Sequence, residues 1–174
     1  MMEAKAEPWL RGTHSEVPAV VRAVLHALEL AGEDLDRWCS GLTDSEVNRS
    51  IGGNAPVSFH LRHIAGSLDR LLTYAEGRQL NDEQLQTMKS ENAPGATLSA
   101  CLASLHAALQ RSMDRVRAFS SADLEAPRSV GRKALPTTAG GLLVHVADHT
   151  QRHVGQAITT AKFVMDERAS HPAR

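Results

Sequence analysis

The sequence predicts an all-α fold, a four-helix bundle with long crossover connections. Three observations carry the prediction. Four segments place apolar residues at steps of three and four, the period of helices buried on one face. No stretch reads convincingly as a strand. Aromatic residues make up 3% of the 174 residues, so the core must be built from Leu, Val, Ala and Ile. That composition suits packed helices better than a β-sandwich.

The first helix is expected over about 15–38, where Val17, Val21, Val24, Leu28, Ala31, Leu35 and Trp38 form one stripe. Pro18 falls in the first turn, where a missing N–H costs nothing, and Ser15 or Thr13 is a candidate cap. The polar connection SGLTDSEVNRSIGGNAPVS follows, with a short helical turn expected at 43–47. The second long helix begins near Ala55 and Pro56, runs to Tyr74 on the stripe Val57, Leu61, Ile64, Leu68 and Leu71, and stops at Gly77. Residues 81–90 predict a short helix, and Asn92, Pro94 and Gly95 break the chain.

Thr97 caps the third long helix, whose face carries Leu98, Leu102, Leu105, Leu109, Val116 and Phe119. Residues 126–138, with two prolines and a glycine, read as a long loop. The fourth helix starts between Thr138 and Gly141 and continues to about Asp166. Residues 1–174 read as one domain, with 1–14 and 168–174 as irregular tails. The connection from the second to the third long helix and the last connection are both long, so one or two crossovers are expected.

The composition also excludes. The formal net charge is −1 and no basic footprint exists, so nucleic acid is not an expected partner. Cys39 and Cys101 stand far apart in no C-x-x-C pattern; they read as small core residues of a chain in the reducing cytoplasm. The opening MMEAKAEPWLRG has no apolar signal core, and no apolar run is long enough to span a membrane. G-x-S-x-G, P-loop and G-x-G-x-x-G motifs are absent.

The nine histidines are the anomaly. In HVADHTQRHVGQ, His145, His149 and His153 stand four apart. A helix turns about 100° per residue, so neighbours in this row are offset by about 40°. The same face carries Leu142, Val146, Gln156, Ala157 and Val164, which points the row towards a partly apolar interior. A lone histidine there is ordinarily a hydrogen-bonded core residue. For a row of three that reading weakens, because neutral imidazole is the commonest metal ligand and i, i+4 spacing lets two rings share an ion. The second helix offers His60 and His63 in VSFHLRHIAGSLDRLLTY, and periodicity slightly favours His60 as the inward residue. His14 and His171 lie in terminal segments, and His26 and His106 lie beside polar residues on helix faces; none of these four reads as a ligand. The run His145-x-x-Asp148-His149 is one substitution from the inverted zincin motif. A protease is rejected, because Asp is a shorter arm than Glu and too little chain follows to complete a cleft.

SFHLRHIAGSLDRLLTYAEG, followed by HVADHTQRHVGQ, resembles the DinB-like superfamily of metal-binding four-helix bundles over most of the chain. The resemblance implies His63, His149 and His153 as the ligands of one divalent metal. It prefers His63 over His60 because the family's histidine precedes a small apolar pair, here Ile64 and Ala65. His145, Asp148, Gln156 and His60 then become candidates for a supporting layer. One departure stands out: many relatives read H-R-G-Q where this chain has Val154 after the ligand and Arg152 before it.

Three imidazoles and no thiolate leave coordination positions open, as at catalytic metal sites, and suit Zn²⁺, Ni²⁺ or Fe²⁺ alike. Characterised relatives include thiol-dependent S-transferases and a mycothiol-dependent isomerase. The resemblance therefore implies an enzyme in which the metal activates a low-molecular-weight thiol for transfer to an electrophilic small molecule. The alternative expectation is a non-catalytic, metal-binding, stress-related protein. A homodimer is expected in either case.

Overall fold

Each apolar stripe becomes the buried face of a helix in the computed structural model, which describes residues 6–170. In chain order the elements are α1 (Ala19–Cys39), α2 (Asp44–Val47), α3 (Val57–Ala75), α4 (Asp82–Ser90), α5 (Leu98–Arg117), β1 (Pro127–Val130), β2 (Leu135–Thr138) and α6 (Ala139–Ser170). Val21, Leu28, Leu35, Leu61, Ile64, Leu68, Leu105, Val146, Ala157 and Val164 meet in one hydrophobic core. Trp38, at the edge of the α1 stripe, is half-buried, with Lys162 Nζ 4.1 Å from its ring centre.

The short-range signals act as caps. Thr43 forms a capping box with Glu46 at α2, and Asn81 forms one with Gln84 at α4. The Thr97 side chain accepts from the amide of Ala100 at the start of α5. Gly77 takes φ +79° just past α3, a conformation that a Cβ would strain.

Four expectations need correction. Helix α1 begins at Ala19, not at residue 15: Pro18 stays extended at φ −58°, ψ 154° as its cap. A residue preceding proline resists helical geometry, which keeps Val17 out of the helix. Residues 126–138 are an antiparallel hairpin with Arg128 opposite Thr137 and Ser129 opposite Pro136. Its strands are too short and too exposed to show a period of two. The hairpin has a clear task, since Arg128 Nε donates to the carbonyl of Ala75 at 2.6 Å and closes the last turn of α3.

Of the expected crossovers, the last connection crosses as expected, whereas the other crossing is made by the first connection and not by the one between the second and third long helices. Helix α1 packs on α6 and α5, and α3 packs on the same two, so α1 and α3 stand at opposite corners, as do α5 and α6. The first and last connections therefore run diagonally, while the long one through α4 joins neighbours. Finally, α6 continues through residues 168–170, and part of the expected N-terminal tail is a 3-10 turn at Pro8–Leu10. Residues 1–5 and 171–174, His171 included, lie outside the described residues. Among the described residues no helix is long and apolar enough to cross a membrane.

Candidate metal centre

Helices α3 and α6 lie side by side, and each presents two histidines to the other. His63 Nε2 stands 3.0 Å from His149 Nε2. The His153 ring centre lies 4.4 Å from that of His63 and 4.7 Å from that of His149. His63, His149 and His153 each bring one nitrogen to within 4.8 Å of the other two. Two nitrogens on one tetrahedral zinc, each about 2.0–2.1 Å from it, are about 3.3 Å apart, so this group fits an ion after small ring movements.

The rings are held from behind. His63 Nδ1 contacts Glu91 Oε2 at 2.7 Å. A proton donated from Nδ1 leaves the Nε2 lone pair facing the cluster, the usual arrangement behind a metal-bound imidazole. Glu91 is only 5% exposed, and its second oxygen accepts from Arg70 Nη1 at 2.7 Å. Gly66 makes room for this pair: a Cβ there would lie 2.5 Å from Glu91 Oε1 and 2.7 Å from Arg70 Nη1. On the other side, His60 Nδ1 lies 3.1 Å from His153 Nδ1. Phe59 stacks on His63 with ring centres 5.2 Å apart and meets His60 and His153 edge-on.

Burial favours the neutral form of His60, His149 and His153. Burial, then His153 and His63, pushes His60 down to about 4. Burial, then His153, His63, His145 and Arg152, does the same to His149. His153 is lowered chiefly by burial, then by His63 and Arg152, with Glu91 opposing. Neutral imidazoles keep the lone pairs that a cation needs.

Of the residues singled out in sequence, the structure brings His60, His63, His149 and His153 together. Periodicity placed His60 inward, and it is the most buried of the four, yet it stands behind His153 outside the cluster of three. His145 does not point inward with its neighbours. Its side chain is 46% exposed, and Nδ1 lies 3.6 Å from Asp148. Asp148 turns to Arg152 at 2.9 Å, on the solvated face. Gln156 is exposed in the wall of a cavity of about 650 Å³ that also includes Phe59, His60, Arg152, His153 and Thr159. Glu91, Arg70 and Gly66 were not legible as site residues. A single acid in a polar connection carries no period, and its partners lie more than twenty residues away in sequence.

The model of the DinB superfamily matches residues 27–157. The chain belongs to the DinB superfamily. The matched span contains His63, His149, His153, His60 and Glu91. No curated protein matches the chain. A solved structure with the same fold is YfiT from Bacillus subtilis, a probable metal-dependent hydrolase with an unusual four-helix bundle topology. It is 17% identical, with a TM-score of 0.62, and the match covers 82% of this chain and 86% of that one. Val154, which follows His153, is 2% exposed and belongs to the core.

Proposed function

We propose that the protein is a metal-dependent enzyme in which His63, His149 and His153 hold one Zn²⁺, Ni²⁺ or Fe²⁺ ion, and which transfers a low-molecular-weight thiol to an electrophilic small molecule. The observation that carries this reading is the open three-nitrogen cluster oriented by Glu91 and His60 beside a cavity. A bound divalent cation would lower the pKa of a thiol or water at its open positions. The chain's own residues do the rest. Glu91 holds the His63 proton at Nδ1, and His60 steadies His153. Phe59 shields the rings from water on one side. Arg152, Gln156 and Thr159 line the cavity and offer polar contacts to a substrate.

A second reading, hydrolysis by an activated water, is favoured by the fold match to YfiT, the probable metal-dependent hydrolase. Homodimer formation remains part of the proposal. Exposed Val144 and Phe163 on α6, 57% and 54% accessible, support it. Buried, free Cys39 and Cys101 fit a reducing compartment.

The first experiment is elemental analysis of tag-free protein and of His149→Ala. The expected result includes one equivalent of divalent metal that disappears in the variant. The metal-loaded protein is then assayed for thiol consumption with electrophiles and for ester or amide hydrolysis. Thiol-dependent turnover supports transfer, and thiol-independent turnover supports the hydrolase. Bound metal with neither activity supports the non-catalytic alternative. An α3–α6 cluster that binds no metal sinks all three.

A further inference from the structure

We propose a second divalent-metal site, made by His14, His26 and Glu29, that ties the N-terminal segment to α1. His26 and Glu29 are three residues apart on α1, so their side chains are neighbours on one face. His14 reaches them from outside the helix. Its Nε2 lies 2.7 Å from Glu29 Oε1, and its ring centre lies 5.5 Å from that of His26. The three residues each offer one ligand atom within 4.8 Å of the others.

Two imidazoles and a carboxylate are a donor set that Zn²⁺ and Fe²⁺ accept with positions left open. Burial suits an ion as well. His26 is 8% exposed, while the side chains of His14 and Glu29 are 13% and 26% exposed, which leaves a route in from solvent. Glu16 Oε1, 3.9 Å from His14 Nδ1, adds negative charge nearby.

The segment that delivers His14 is anchored on both sides of the site. Arg11 places two guanidinium nitrogens 2.6 Å from the two oxygens of Glu33. His26 Nε2 lies 3.1 Å from Thr13 Oγ1 and 3.2 Å from the Thr13 carbonyl. His14 itself takes φ +57°, a conformation costly for a residue with a Cβ. One partly exposed bond to a carboxylate offsets little of that cost. His26 also borders a cavity of about 650 Å³ lined by Trp9, Thr13, Arg22, Leu30 and Gln151, so a metal here would stand at the edge of a groove. His14 and His26 both precede the part of the chain matched to the DinB superfamily.

The test is Zn²⁺ stoichiometry by equilibrium dialysis and elemental analysis on tag-free protein. A micromolar-affinity chelator is included to remove surface-bound ions. Wild type is expected to hold two equivalents, the His149→Ala/His153→Ala variant one, and His14→Gln/Glu29→Gln one. His106→Ala, which alters an exposed histidine beside Asp36, should leave the count unchanged. A wild type with one equivalent that is lost in His149→Ala/His153→Ala and kept in His14→Gln/Glu29→Gln overturns the second site. The reverse pattern upholds it and removes the α3–α6 reading. The wild-type count, together with the conservative Glu29→Gln variant alone, keeps the test decisive if a double variant misfolds: two equivalents falling to one supports the site, and an unchanged count overturns it.

Discussion

The two histidine clusters use the same residue types and are built in opposite ways. Between α3 and α6 the carboxylate stands behind the ligands: Glu91 touches His63 Nδ1 and leaves the inward face to three imidazoles. Beside α1 the carboxylate of Glu29 is itself one of the three donors. The first cluster rests on two long helices packed through a common core, while the second needs a segment outside the helices to deliver His14. The contrast teaches that the position of one acid decides whether a cluster is an all-imidazole site with a fixed orientation or a mixed site open to rearrangement.

The largest effect should come from breaking the support of the first cluster. Glu91→Ala strands the buried Arg70 charge and should cost about 3–5 kcal/mol in chemical denaturation. By contrast, Glu29→Gln in metal-free protein should cost no more than about 1 kcal/mol, since its pair is partly solvated. Comparable losses in the two variants would break the distinction drawn between the clusters.

Glu91→Gln sharpens it further. It keeps the shape but weakens the hold on His63, and Zn²⁺ affinity at the α3–α6 cluster should fall roughly 10–100-fold in competition titrations. Unchanged affinity would mean that Glu91 serves only Arg70. Gly66→Ala forces a methyl group against both members of the pair and should destabilise by about 1–3 kcal/mol, read as a shifted denaturant midpoint.

The pH dependence follows from the depressed histidines. His60 and His149 titrate near 4 in the fold, against 6.5 for an unperturbed imidazole. Between these values the unfolded chain binds protons that the folded chain does not. Metal-free protein should therefore lose stability as pH falls from about 6.5 to about 4, with little change from these groups above that window. His60→Asn should flatten the slope in thermal melts across the window, and an unaltered slope would assign the effect elsewhere. The smallest effects belong to the solvated face of α6: His145→Ala and Asp148→Asn should each change stability by less than about 0.5 kcal/mol and leave metal stoichiometry intact.

Much of the molecule was legible because helices write their burial locally. The stripes through Val21 to Leu35, Leu61 to Leu68 and Leu105 to Val116 name the core faces directly, and Thr43, Asn81, Thr97 and Gly77 mark ends by local hydrogen bonding or backbone freedom. The spacing of His149 and His153 likewise announces a shared helical face. Choosing His63 over His60 required the family resemblance, because angular periodicity measures burial and the cluster needs a ring that faces its partners.

What the sequence by itself determined, then, is the set of helices, their buried faces and the histidine pair on α6, since each depends on residues within a few turns of one another. Tertiary structure alone decided the rest. The diagonal placement of α1 against α3, the hairpin that closes α3, the Gly66 gap filled by Glu91 and Arg70, and the meeting of His14 with Glu29 all join residues distant in the chain. No local pattern encodes such pairings, because they follow from which faces the packed helices leave for the connections to cover.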